Sequence, residues 1–485
     1  MTTESRKWFA LGVICVAQFM VILDVSIVNV ALPSIQRGLR FSEQNLLWVL
    51  NAYALFFGGF LMLGGRVADK LGRRRVFLTG VMLFSVASLF CGLASSSGWL
   101  VAARAVQGLG AAILSPAALS ILTVTFKEGT ERNKALSIWG AIAGAGGAFG
   151  VLLGGILTQE VGWQWIFYVN VPIGSLVVLA SFFILAPSLS EDERRGFDIP
   201  GAIALTASLV LMVFALVKST SWGWASTRTI GTLAVSIILL AAFILIERRT
   251  TSPLVPLSIF GNRSLSISNV VSLALGASIF SMFYFLSLYM QEVLGYSALR
   301  TGIGYLTIAS AIIIAAGAAQ ALVAKFGIRS VMTLGMLLAS GGLVYFTQIS
   351  PHGSYAATLL PGFLLAGVGL GLSFVPVTIG AVSGVVADEA GVASGLITTT
   401  QQIGGALGVA ILSTIAVSGT TKFASSHGHG HQEAIAALNH GFSLAFWFGA
   451  LFAAVGAVVA FFGMKGSEAR ADISRQPALE GAEAA

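Results

Sequence analysis

Two fully charged residues stand inside long apolar stretches, Asp24 within Leu23-Asp24-Val25-Ser26-Ile27-Val28-Asn29-Val30-Ala31-Leu32-Pro33 and Arg104 within the run 98–126. A carboxylate at membrane depth costs about 2.5–3.5 kcal/mol even on insertion scales, so its presence there points to use. Desolvation favours the neutral acid, whereas a neighbouring cation or a water-filled cavity favours the anion. A protonation state that switches with conformation is the chemistry of a proton carrier. Arg104 keeps its charge and cannot carry the proton, but it can hold a hydrogen-bond network and a fixed positive potential beside one. Gln107 and Gly108 follow at i+3 and i+4 and share its helix face. An interfacial Asp24 and a static ion pair at Arg104 are the plainer alternatives. No Gly-x-x-x-x-Gly-Lys-Ser/Thr phosphate loop occurs, and no polar segment is long enough for an ATPase domain. Energy is therefore expected from an ion gradient or from the solute's own gradient. One charge moved across 100 mV is worth roughly 2.3 kcal/mol, against about 1.4 kcal/mol per tenfold in concentration.

Positioning these groups requires helices in a bilayer. Of the 485 residues, 56% are apolar and 10% charged, and the mean hydropathy is +0.89, which excludes an ordinary soluble enzyme. Apolar runs fall at 8–32, 45–65, 76–95, 98–126, 135–158, 165–187, 199–217, 229–246, 267–290, 301–323, 330–348, 355–378, 391–417 and 441–463. They predict an all-α integral membrane protein of about fourteen spans. A formal charge of +7 would suggest nucleic acid in a soluble chain, but the cations mark topology instead, and no nucleic-acid partner is expected. With the N-terminus in the cytoplasm, the great majority fall inside, among them Arg6, Lys7, Arg66, Lys70, Arg73, Arg74, Arg75, Arg132, Arg248, Arg249, Lys325 and Arg329. The expectation is a multi-pass protein of the cytoplasmic membrane with both termini inside. Its first apolar run, which follows Arg6 and Lys7 and continues to Pro33, reads as a retained span rather than a signal peptide. Cys15 and Cys91 lie in apolar runs and read as small buried hydrophobes.

Laid on itself with an offset of 255–259, the chain repeats. Lys70-Leu71-Gly72-Arg73-Arg74 aligns with Lys325-Phe326-Gly327-Ile328-Arg329, Gly108-Leu109-Gly110 with Gly367-Val368-Gly369, and Gly146-Gly147-Ala148-Phe149-Gly150-Val151 with Gly404-Gly405-Ala406-Leu407-Gly408-Val409. Two parallel six-helix bundles follow, one of the repeat designs of secondary transporters. The expected organisation is a first bundle at 1–190, a linker with two inserted spans (the seventh and eighth) at 191–263, a second bundle at 264–465 and a polar tail at 466–485. Arg104 aligns with Phe363, so charge coupling belongs to the first bundle alone.

Between the second and third runs stands Gly65-Arg66-Val67-Ala68-Asp69-Lys70-Leu71-Gly72-Arg73-Arg74-Arg75. Topology alone would need only its cations. Asp69, near the start of the third span, would suit that helix's N-terminal dipole and bridge to cations of a neighbouring bundle as a latch. This turn resembles the loop 2–3 signature of the major facilitator superfamily, and Arg104 with Gln107-Gly108 resembles its fourth-span motif. The Leu23-to-Pro33 run resembles the first-span motif of the fourteen-span drug/proton antiporter branch. So do Trp163-Gln164-Trp165-Ile166-Phe167-Tyr168-Val169-Asn170-Val171-Pro172-Ile173-Gly174, Phe197-Asp198-Ile199-Pro200-Gly201 and Ala393-Ser394-Gly395-Leu396. The resemblance covers nearly the whole chain. It implies alternating access with proton entry exchanged for drug exit, Asp24, Arg104 and Gln107 in the coupling region, and Gly65, Asp69, Gly72, Arg73 and Arg74 in a cytoplasmic gate.

Two departures stand out. Val151 occupies the place of the proline in the family's fifth-span motif, where the glycines Gly146, Gly150, Gly154 and Gly155 remain for close packing and sliding against the second half. Gln164 and Gln401 stand where members often carry arginine. The resulting expectation is export of amphipathic drugs, cationic or aromatic, by antiport. Export of one dedicated antibiotic or metabolite is the nearest rival, and Val151 keeps open symport or facilitated diffusion of a small solute. Cavity candidates are Asn29, Trp48, Asn51, Tyr53, Phe283 and Tyr284, whose aromatic members suit flat cations, with Tyr289 and Glu292 at the outer end of the ninth run. His427, His429 and His431, with His440 nearby, lie in a glycine-rich outer loop without carboxylate or cysteine company and read as solvated rather than as a metal site. No cofactor is expected beyond protons as coupling ion, and the expected partners are small-molecule drugs or metabolites and the lipid bilayer around a monomer.

Overall fold

The computed structural model describes residues 3–126, 130–185, 198–250, 253–385, 390–427 and 430–464. The expected tail at 466–485, Phe197, and the side chains of Asp69, His427, His429 and His431 lie outside the described residues. Apart from short turns, the described chain is helical: α1 (Thr3–Leu39), α2 (Glu43–Leu46), α3 (Trp48–Leu71), α4 (Arg73–Gly92), α5 (Ser97–Thr125), α6 (Thr130–Glu160), α7 (Trp165–Tyr168), α8 (Asn170–Ile184), α9 (Ile199–Trp222), α10 (Thr227–Arg249), α11 (Arg263–Leu288), α12 (Ala298–Phe346), α13 (Leu360–Val382), α14 (Ala390–His427) and α15 (His431–Gly463). Single π-helical turns at Tyr289–Val293 and Tyr355–Leu359 flank α11 and α13. Helices dominate because a bilayer offers no partner to a backbone amide, so each span must satisfy its own.

Twelve helices among the described residues are long and apolar enough to cross a membrane, where the sequence predicts fourteen. The difference has two sources. The runs 301–323 and 330–348 merge into the 49-residue α12, within which Gly327 adopts a non-helical φ of 84° and ψ of 159°. And α6, several of whose side chains lie outside the described residues, is not among the twelve. The first helix also continues through Pro33 to Leu39 rather than ending at the proline.

One face carries Arg6, which donates to the Ile184 carbonyl (2.9 Å), Lys7 paired with Glu131 (3.3 Å), Arg74 on the Phe182 carbonyl (2.8 Å) and Arg263 on the Gly463 carbonyl (2.8 Å). This basic face therefore ties together the ends of α1, α4, α6, α8, α11 and α15. The repeat seen in the sequence recurs in the packing. Gly72 and Gly327 both hold positive φ, 92° and 84°, a conformation that costs an L side chain about 1–2 kcal/mol. Gly108 closes onto the Tyr53 backbone of α3 as Gly367 closes onto Ile308 and Ala311 of α12. Gly150 meets Ser26 of α1 as Gly408 meets Ala277 of α11.

The two inserted helices are unequal. α9 packs against α3 and α14 and so covers the seam between the halves, whereas α10 packs on α9. Ser208 and Ser236 bond to each other's carbonyls, both at 2.8 Å, and knit the pair. Asp198 caps α9 through the Gly201 amide (2.8 Å), Glu247 near the end of α10 accepts from the Val255 amide (3.2 Å), and Arg66 of α3 bonds the Pro253 carbonyl. The segment after α10 is thus fastened to the basic turn.

Candidate functional site

Asp24 is 0% and Arg104 1% exposed. The Arg104 Nη1 donates to Asp24 Oδ2 at 2.5 Å and to Gln107 Oε1 at 2.7 Å, while its Nε donates to the Val49 carbonyl at 3.0 Å. The other carboxylate oxygen of Asp24 accepts from Gln107 Nε2 (2.8 Å) and Asn170 Nδ2 (3.1 Å). Asn170 also donates to Ser88 Oγ (3.0 Å), which in turn donates to the Phe167 carbonyl (2.8 Å). The guanidinium lies over the Tyr53 ring at 4.4 Å and the Phe167 ring at 5.7 Å. Five helices, α1, α3, α4, α5 and α8, therefore converge on this network, in which α5 and α8 bring donors to the α1 carboxylate itself. Charge-assisted hydrogen bonds of this kind are roughly twice as strong as neutral ones, and a buried ion must be paired this fully to persist.

Spacing explains part of the assembly. Arg104, Gln107 and Gly108 share a face of α5, and Gly108 has no β-carbon, so α3 comes close enough to lay Tyr53 on the guanidinium. Ser88 and Asn170 went unassigned in the sequence. Asn170 stands in the aromatic run Trp163–Gly174 with no charge or spacing to mark its partner.

Beside this network, between the two halves, lies a cavity of about 380 Å³. Gln18, Ser26 and Asn29 of α1, Phe57 of α3, Val151 of α6, Phe280 and Phe283 of α11, Tyr305 of α12, Phe374 of α13 and Gln401 and Gln402 of α14 line it. No carboxylate and no cation lines it among the described residues. Taking an ion out of water costs several kcal/mol, of which a desolvated aromatic face returns about 2 kcal/mol or more. The cavity therefore disfavours a naked charge. Its partners on the face opposite the basic one are close: Gln291 donates to the Val30 carbonyl (2.8 Å), Gln159 accepts from the Leu299 amide (3.3 Å), and Gly155 and Gly302 close the α6–α12 contact.

Of the residues expected to line a cavity, Asn29 and Phe283 do so. Tyr53 is instead buried on Arg104, and Asn51 donates to the Ala406 carbonyl (3.1 Å) between α3 and α14. Trp48 faces a separate lateral pocket between α3, α5 and α9. Tyr284 and Glu292 border a small recess of about 70 Å³, and Tyr289 is tied to the Ser350 carbonyl at 2.8 Å. These side chains follow the helix faces on which they sit, which aromatic character alone does not reveal.

The glycines of α6 also divide. Gly146, Gly150 and Gly154 pack on α1 within the same half, and Gly155 meets Ala298 and Leu299 of the second. Contact with the second half thus falls to Gly155 and to Val151, whose carbonyl meets Gly302. In the basic turn, Gly65 rests on Pro116, Gly72 makes the bend, and Arg74 reaches α8 while Arg66 reaches Pro253. Arg73 is partly buried there, and the latch expected of Asp69 falls on a side chain outside the described residues.

The sequence pattern of the Major Facilitator Superfamily matches residues 14–409. The puromycin resistance protein pur8 of Streptomyces alboniger is 37% identical, over 92% of this chain and 89% of that protein. The cephamycin export protein CmcT of Amycolatopsis lactamdurans is 39% identical, over 86% of each. The tetracenomycin C resistance and export protein of Streptomyces glaucescens is 35% identical, over 86% of this chain and 77% of that protein. In fold, the chain superposes on a bacterial homologue of the human lysosomal transporter Spinster, in an inward-facing and occupied conformation, with a TM-score of 0.69 at 17% identity, covering 93% of this chain and 96% of that one.

Proposed function

The chain belongs to the Major Facilitator Superfamily, and on that footing we propose that it exports amphipathic small molecules across the cytoplasmic membrane in exchange for protons. The observation that carries the reading is the Asp24 carboxylate, fully buried and held by Arg104, Gln107 and Asn170 beside the central cavity. A proton taken by Asp24 cancels its attraction to Arg104 and frees the five converging helices to repack, so protonation and conformation are linked. Substrate enters the cavity while Asp24 is ionised, the halves rock, and a proton from outside resets the pair.

Several features support the wider frame. The excess of Lys and Arg on the basic face supports a cytoplasmic position for that face by the positive-inside rule. The closures near Gln291 and Gln159 then lie outside. Fourteen crossings follow if α6 spans and α12 crosses twice, since 49 residues rise about 74 Å against a hydrocarbon core of about 30 Å. The division into bundles at 1–190 and 264–465 with an insert at 191–263 agrees with the mirrored contacts of α1–α6 and α11–α14. The names of the relatives support antibiotics as the substrate range.

The test is purified protein in liposomes loaded with a pH-sensitive dye. Addition of compounds from a panel that includes puromycin and tetracenomycin C is expected to evoke proton movement in the native chain and none in Asp24→Asn. Proton movement that survives Asp24→Asn would remove Asp24 from coupling, and movement by no compound of the panel would refute proton-coupled export of this range.

A further inference from the structure

We infer that the central cavity selects uncharged, flat aromatic molecules bearing hydrogen-bonding groups, and discriminates against organic cations. The inference rests on the export reading and names its substrate class. Its first support is the lining: Phe280 and Phe283 offer apolar faces, and Gln18, Asn29, Gln401 and Gln402 offer amide dipoles, with no ionised group among the described residues. Asn29 spends its own Nδ2 on the Val25 carbonyl, and Gln18 Oε1 has no protein partner among the described residues, so acceptors remain for a ligand.

The second support does not depend on which face is open. Residues 301–324, 360–385 and 390–421, which form most of α12 to α14 facing the cavity, contain no Asp, Glu, Lys or Arg, and neither do 140–150 of α6 or 264–291 of α11. In the first half the apolar interior holds one carboxylate, Asp24, and that carboxylate is already matched by Arg104 at 2.5 Å. A cation entering the cavity would have to break this pair to find a counter-charge, whereas a neutral ligand needs only the amides. Amides that are desolvated by a ligand lacking complementary groups are left unpaired, which gives hydrogen-bonding ligands a further advantage. A volume of about 380 Å³ lies within the range of drug-sized sites.

The experiment compares two dyes on one benzophenoxazine skeleton, the uncharged Nile red and the cationic Nile blue, binding to purified full-length protein by fluorescence polarisation. The native chain is expected to bind Nile red at least tenfold more tightly. Gln401→Glu, which places a carboxylate on the lining, is expected to shift the Nile red to Nile blue ratio at least tenfold toward the cation. Gly147→Phe fills the cavity, which Gly147 lines and where a β-carbon would meet only Ser26 Oγ at an ordinary contact distance of 3.9 Å, and is expected to abolish both signals while the protein still elutes as a folded species. Equal or tighter binding of Nile blue by the native chain would overturn the class, as would Nile red binding that survives Gly147→Phe. If that happens while puromycin or tetracenomycin C still evokes Asp24-dependent proton movement, export stands and only the class falls. If neither dye binds and no proton movement is evoked, both fall together.

Discussion

Neutralising the two charged residues at membrane depth one at a time, and then together, tests whether they form a desolvated unit. In Asp24→Asn the Arg104 guanidinium keeps the Val49 carbonyl (3.0 Å), Gln107 (2.7 Å) and the Tyr53 ring, but loses its one anionic partner among the described residues. In Arg104→Gln the carboxylate keeps Gln107 and Asn170 but loses its cation. Removing one member of a buried pair typically costs 3–5 kcal/mol, because an uncompensated charge is left behind, whereas neutral replacement of both is often close to neutral. Each single variant is thus expected to lose about 3–5 kcal/mol, and Asp24→Asn/Arg104→Gln to lie within about 1 kcal/mol of the native chain, a coupling of at least about 5 kcal/mol. Equilibrium unfolding in mixed detergent micelles, followed by tryptophan fluorescence, measures all four species. Single losses below about 1 kcal/mol, or a double variant whose loss equals the sum, would refute the account of Asp24 and Arg104 as a mutually dependent, water-excluded pair.

Two further outcomes follow from the backbone. Gly327→Ala places a β-carbon at φ 84° and is expected to cost about 1–2 kcal/mol of stability, whereas Gly317→Ala, at a helical glycine with open space around it, is expected to be neutral or to add a few tenths up to about 1 kcal/mol, and thermal unfolding distinguishes them. With Cys15 and Cys91 both buried, cysteines introduced at Ser297, Phe326 and Ser350 report the path of α12. Impermeant thiol reagent added outside intact cells is expected to label positions 297 and 350, and position 326 only after permeabilisation; labelling of 326 from outside would contradict a double crossing.

Much of this architecture is written plainly in the chain because membranes penalise charge and backbone exposure so heavily. Asp24 and Arg104 stand out against apolar surroundings, and their pairing follows from cost alone. The bend glycines Gly72 and Gly327 were visible as an aligned pair because no other residue holds their φ cheaply. The neutral polar members of the site were harder to see. Serine and asparagine are tolerated in spans for many reasons, so Ser88 and Asn170 carry no signal of their partner until the helices are placed. Tyr53 and Asn51 were misplaced for a related reason. In a helix apolar on most sides the pattern does not say which face meets a neighbour and which meets the cavity, and the close approach at Gly108 turns Tyr53 inward. The break between the two halves of α12 was legible as a turn, although the chain passes it without leaving a loop.

The position of α9 makes the molecule lopsided in the plane of the bilayer. Where α3 meets α14, that helix stands between the joint and the surrounding lipid, while around the α6–α12 joint Phe149, Ile303 and Ile314 are exposed on the outer surface. A lipid-dissolved compound approaching sideways therefore meets a covering helix on one flank and, on the other, only the packed contact between α6 and α12 itself.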